Sequence, residues 1–209
     1  MKTIILTSYF SFLSAGLLSA QEVAPFTANI GGGITQTVGL TGRNLDNGWN
    51  LQGAVGFNLN AYLGAVVEAE YNDLGITGAA ANNLGFGSGS VRVFSATIDP
   101  VVRLRPRGRF DPYIIGGGGM YRRMEQFNAP TGFAPSGYNP FFGFDTPGVS
   151  AFGMNTTYSV NRPGYNIGVG VDFRTKWRTK IYAEARYNHI FMPSGEHTDF
   201  LPITFGVRW

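Results

Sequence analysis

His189, Ser194 and Glu196 carry the side-chain types of a serine hydrolase. An imidazole can take a proton, a hydroxyl can attack a carbonyl, and a carboxylate can hold the ring in place. Their spacing matches no hydrolase motif, and the simpler reading puts His189 in a polar girdle. Glu68, Glu70, Glu184 and Arg186 form a second set. Carboxylates beside a guanidinium can do acid–base work or line an ion path, or they can neutralise one another as a buried network. The run Gly116-Gly117-Gly118-Gly119 invites comparison with a phosphate-cradling loop, but the Lys-Ser/Thr that such a loop needs does not follow it. Asn155-Thr156-Thr157 matches a glycosylation sequon, too short a pattern to carry a reading alone. Without cysteine, thiol catalysis, disulfides and thiolate metal sites are excluded, and no metal or cofactor is expected. A formal charge of +3, with no basic cluster interleaved with stacking aromatics, gives nucleic acid nothing to bind.

The residues around these groups alternate with a period of two. In 201–209 the odd positions are Leu, Ile, Phe, Val and Trp, and the even ones are Pro, Thr, Gly and Arg. That is a strand with one apolar face. The same alternation runs through 26–36, 49–58, 63–72, 94–104, 165–174 and 181–188. In 113–122 the phase set by the tyrosines puts Tyr113, Ile115, Gly117, Gly119 and Tyr121 on the apolar face and Arg122 on the other. Pro100 interrupts 94–104 and suggests a bulge there.

On this reading the apolar faces carry no Asp, Glu, Lys or Arg. The opposite faces carry Glu68, Glu70, Asp99, Arg103, Arg122, Asp172, Arg174, Glu184, Arg186 and Arg208. A cation facing lipid at the bilayer midplane costs roughly 2–4 kcal/mol, which is a physical cause for such segregation. A soluble ligand-binding barrel shows the reverse. The pattern therefore predicts an all-β fold: an eight-stranded antiparallel up-and-down transmembrane β-barrel. Eight strands enclose a space just wide enough for side chains. The expected lumen is plugged by ion pairs among Glu68, Glu70, Asp99, Arg103, Asp172, Glu184, Arg186 and Arg208, with Glu68 or Glu70 against Arg186 or Arg208.

Composition agrees. The 209 residues suit one domain, and 30 Gly and 17 Phe with only 14% charged residues suit membrane strands. Residues 1–20 read as a signal peptide: Lys2, an interrupted apolar run, then Leu18-Ser19-Ala20. Residues 21–209 then form the barrel domain.

Three connections read as short (58–61, 105–111, 175–179) and four as longer (37–48, 72–90, 124–161, 190–199). Short turns on the periplasmic side and long loops outside are the outer-membrane pattern. Two aromatic girdles follow: Trp49, Tyr71, Tyr121, Tyr165 and Tyr187 at the outer end, and Phe57, Tyr113, Phe173 and Trp209 at the inner. The stretch 124–161 is rich in aromatics and proline, and Phe133, Tyr138, Phe141, Phe142 and Phe144 are its candidates for contact with an extracellular ligand. They can equally fold back over the barrel mouth. Arg103, Arg105, Arg107, Arg109, Arg174, Lys176, Arg178 and Lys180 make the inner end basic, suited to anionic headgroups or to solvation.

The alternation that ends in Trp209 resembles the closing strand, and assembly signal, of bacterial outer-membrane barrels. The stretch Phe110-Asp111-Pro112-Tyr113-Ile114-Ile115-Gly116-Gly117-Gly118-Gly119 resembles a strand of the small opacity-type and outer membrane protein A-like barrels. The resemblance implies residence in the bacterial cell outer membrane, among lipid and lipopolysaccharide. It also implies an encounter with the barrel-assembly machinery through the last strand. The expected role is structural or surface display, adhesin-like. The alternatives are a narrow porin-like channel or an outer-leaflet lipid-modifying enzyme such as a lipid A hydrolase.

Overall fold

The computed structural model describes residues 25–79, 88–128, 132–133, 137–139, 144–146, 150–151, 155–175, 179–192 and 197–209. The expected signal peptide lies outside them. The strands are β1 (Phe26–Thr37), β2 (Leu45–Asn58), β3 (Leu63–Ile76), β4 (Ser88–Arg103), β5 (Phe110–Asn128), β10 (Asn155–Arg174), β11 (Lys180–Phe191) and β12 (His197–Arg208). Between β5 and β10 lie four short strands, β6 (Gly132–Phe133), β7 (Gly137–Asn139), β8 (Phe144–Thr146) and β9 (Ser150–Ala151). The eight long strands close into one antiparallel barrel in the order β1-β12-β11-β10-β5-β4-β3-β2. Closure runs along β1 and β12, from Asn29 opposite Arg208 to Thr37 opposite Phe200. Beyond that ladder, Trp209 and Ala28 exchange backbone hydrogen bonds of 3.0 and 2.9 Å. A closed sheet leaves no unpaired edge, which is what hydrocarbon demands. Among the described residues no helix is long and apolar enough to cross a membrane.

Alternation sorts the side chains as the period-two pattern requires. At mid-height Ile30, Val55, Val67, Ile98, Ile167, Val169 and Phe205 point outward and are exposed. Asn50, Gln52, Glu68, Glu70, Thr97, Asp99, Glu184 and Arg186 point inward and are buried.

Three expectations are corrected. First, β5 has the opposite phase. Tyr113, Ile115 and Tyr121 are buried inside, while Ile114, Met120 and Arg122 face out. The four glycines carry no facial information, and a tyrosine is compatible with either face. The phase is set instead by Asp111, Arg123 and Glu125, all buried inside with Tyr113 and Tyr121. Second, Pro100 makes no bulge. The β3–β4 register is continuous through Ala65 opposite Pro100. On the β5 side it resumes unshifted from Ile98/Gly118 to Val101/Ile115. Proline withholds an N–H but adds no residue, so the ladder loses a bond and not its register. A register shift lies instead in β2, between Leu45 and Gly48. It turns Leu45 into the lumen, where it is 1% exposed.

Third, the strands run further than the alternation suggested. β5 and β10 stay paired out to Asn128 opposite Asn155, so the stretch 124–161 begins and ends as barrel wall. Inside it, β6 pairs with β9 and β7 with β8. The β11–β12 connection shrinks to residues 192–196 and the β1–β2 connection to 38–44. The longer stretches between barrel strands are 77–87 and 129–154, the second carrying β6 to β9.

Candidate functional site

The lumen is filled in layers. At its waist sits Arg186 from β11. Its guanidinium donates to Glu68 of β3 (2.6 Å), Asp99 of β4 (3.1 Å) and Glu184 of its own strand (2.5 Å). Asp99 also accepts from Thr97 (2.7 Å) and Asn166 (2.8 Å). One arginine thus ties the two walls of the barrel together. Glu70 is buried beside this group, and its Oε1 has no hydrogen-bond partner among the described residues.

Nearer the end with the short turns, Asp172 of β10 gathers Arg208 (2.5 Å), Arg103 (2.7 Å) and Lys180 (3.2 Å). Arg103 also meets Asp111 at 3.1 Å. Tyr113 links the two layers: its hydroxyl donates to Glu184 at 2.6 Å and accepts from Arg208 at 3.2 Å. The Arg208 guanidinium lies over the Tyr113 and Tyr182 rings, 4.9 Å from each centroid. Those rings occupy space left by glycine. Gly170 is directly opposite Tyr113, and Gly206 directly opposite Tyr182. A Cβ on either glycine would collide with the facing ring.

Toward the loop end the lumen holds an apolar cluster beside the buried Arg123–Glu125 ion pair (2.7 Å). Leu45, Leu74, Ile76, Val91, Val93, Tyr121, Ile190 and Phe200 form one buried cluster, with Met192 against it. The alternation did not reveal this layer. Its signal was that the inward parity of β3, β4, β11 and β12 continues past the charged positions with apolar side chains.

Glu68, Asp99, Glu184 and Arg186 thus lie in one group, and Arg103, Asp172 and Arg208 in the next. Trp49, Phe57, Tyr71, Tyr165, Phe173, Tyr187 and Trp209 share the outward face of their strands. Tyr113 and Tyr121 do not, because of the phase of β5. Phe26 and Phe110 join the turn-end belt: Phe26 meets Phe57 at 5.7 Å and Phe110 meets Phe173 at 4.5 Å. At the loop end Trp49 meets Tyr71 at 5.4 Å. Phe133, Tyr138 and Phe144 fall in the short strands β6, β7 and β8, while Phe141 and Phe142 lie outside the described residues.

Ser194 and Glu196 also lie outside the described residues. His189 is engaged elsewhere. Its Nδ1 is 2.7 Å from Asp199 Oδ1, and Asp199 Oδ2 is 3.2 Å from His197 Nε2. Tyr165 stacks on His189 at 5.0 Å, and the backbone N–H of Asp199 donates to Thr41 Oγ1 at 2.9 Å. This cluster fastens the start of β12 to β11, β10 and the β1–β2 connection.

The sequence fits a family model described as outer membrane protein beta-barrel domain over residues 9–209. No curated protein matches it. Among solved structures it is similar to Neisserial surface protein A, at 13% identity, 88% of this chain, 96% of that one and a TM-score of 0.58. It is also similar to a major outer membrane protein of Thermus thermophilus, at 10% identity, 88% and 97% coverage and a TM-score of 0.58. OprG of Pseudomonas aeruginosa aligns at 14% identity, 91% and 99% coverage and a TM-score of 0.49. Identities this low speak for the fold alone. A closed eight-stranded wall, apolar outside and charged within, together with the match over nearly the whole sequence, makes the chain a member of the outer membrane protein beta-barrel domain family, resident in the bacterial outer membrane.

Proposed function

We propose that the protein is a plugged barrel that serves as a structural and surface-display, adhesin-like element of the outer membrane. The observation that carries this reading is the stacking of two closures in one lumen. An ion-paired waist centred on Arg186 lies beneath a second layer in which Leu74, Val91, Val93, Ile190 and Phe200 pack beside the buried Arg123–Glu125 pair. Ions crossing the barrel would have to break the first and part the second. The long connections, 77–87 and 129–154, both leave the same end of the barrel, opposite the short turns, and that end is the extracellular one. The stretch between β5 and β10 is then the natural place for an extracellular ligand to dock. The proposed surroundings are outer-membrane lipid and lipopolysaccharide, and the barrel-assembly machinery meets the chain through β12.

Two measurements test the reading. In planar bilayers the purified protein gives no large, stable conductance steps; such steps would support the porin-like alternative. On intact cells, added protease cuts within 129–154 while the short turns at 59–62 and 104–109 stay protected. Cleavage at those turns instead would invert the orientation.

A further inference from the structure

The outward face of the barrel is uncharged from the turn-end belt to the loop-end belt on β3, β4 and β5, and then two arginines appear. Arg92 of β4 and Arg122 of β5 both face out and are exposed. Arg92 stands opposite Met124, and Arg122 is two residues from Met124 on the same strand. The two arginines are therefore diagonal neighbours on adjacent strands, about 7–8 Å apart at their Cα atoms. Asn161 is opposite Arg122 and Ser159 opposite Met124 on β10, and both are exposed. Asp73 lies 3.6 Å from Arg92 Nε and receives the Tyr71 hydroxyl at 3.3 Å, so Asp73 holds one side of Arg92. Arg122 makes no ion pair among the described residues.

Height gives the pair its meaning. At ~3.3 Å per residue and a tilt of ~40°, Arg122 stands roughly 30 Å above Phe110, just past an apolar band about 25 Å tall. The row below Arg92 holds Phe94 and Tyr71, directly across from Arg122 and from each other. Two cations with an amide and a hydroxyl beside them thus sit where acyl chains give way to headgroups. Guanidinium groups pair with phosphate through two parallel hydrogen bonds, and this geometry lets one phosphate sit between two of them.

We propose that Arg92 and Arg122, flanked by Asn161 and Ser159, bind the phosphate of a phosphorylated glycolipid of the outer leaflet. The proposal rests on the surface orientation given above. Its occupant is a lipid headgroup, because the site is continuous with the apolar wall that would hold that lipid's chains.

The test uses the full chain in phosphatidylcholine nanodiscs, with native mass spectrometry reading how much glycolipid is retained. The arms are diphosphorylated lipid A, the same glycolipid stripped of phosphate, and inorganic phosphate alone. Wild type retains the phosphorylated lipid in preference to the other two. Arg92→Gln with Arg122→Gln lowers its apparent affinity about tenfold, and Arg122→Gln alone lowers it less. Arg109→Gln, at the opposite end, leaves it unchanged. Heat-modifiability on gels shows which variants are folded, and Arg122→Gln removes no described contact. Equal retention by folded Arg122→Gln and wild type overturns the proposal, as does equal retention of the dephosphorylated lipid. Occupancy by inorganic phosphate at the same concentration overturns the commitment to a lipid. The intact-cell protease experiment judges the orientation separately, so the two failures can be told apart.

Discussion

Arg186 is the single side chain on which most of the lumen leans. Replacing it with Met would leave Glu68, Asp99 and Glu184 buried without their shared counter-charge. Breaking a buried pair in this way costs about 3–5 kcal/mol, so Arg186→Met should lower the unfolding free energy by that order in urea titrations of the barrel in lipid vesicles. Tyr113 is the second such residue. Gly170→Ala would drive a methyl group into its ring and disturb the hydroxyl's bonds to Glu184 and Arg208. Overpacking of this kind costs about 1–3 kcal/mol, and Tyr113→Phe in the same background should remove little more, because the two changes strike one contact. The sequence made the charged lumen legible at Glu68, Asp99, Glu184 and Arg186, since charge has only one face to choose in lipid. It hid the tyrosines. An aromatic ring with a hydroxyl suits a headgroup belt and a crowded lumen alike, and only the glycine across the ladder, which is a long-range pairing, decides between them.

Among the elements, β5 departs most from its sequence reading. Its centre is four glycines, and the charges that fix its phase, Asp111, Arg123 and Glu125, sit at its two ends. The native chain has no cysteine, so single cysteines report cleanly on direction. A lipid-soluble maleimide should label Ile114→Cys and Met120→Cys and leave Ile115→Cys protected, as seen by mass shift. Labelling of Ile115→Cys alone would restore the opposite phase. The length of β5 and β10 was also hard to read. Thr, Ser and Asn near their far ends resemble loop composition, yet cross-strand pairing continues there because each strand finds its partner's backbone whatever the side chains. β12 was the easiest element: a clean alternation from Leu201 to Trp209 matched the face each residue takes.

The whole molecule is an apolar sleeve around a filling that is charged at the waist and, toward the loop end, joins an apolar cluster to a buried ion pair. Its exterior is open to a direct test at mid-height. Ile98 faces out and is 64% exposed. Ile98→Arg should cost roughly 2–4 kcal/mol in vesicle-based unfolding, whereas the same residue in water would be nearly indifferent to the change. The filling has a consequence for how the sleeve is made. Arg186 on β11 reaches carboxylates on β3 and β4, strands on the other side of the cylinder. A half-curled sheet keeps those partners far apart, each still wearing its own water. Their attraction therefore arrives late in assembly and is given up early in disassembly. It acts as a latch that slows escape from the membrane while doing little to hasten entry.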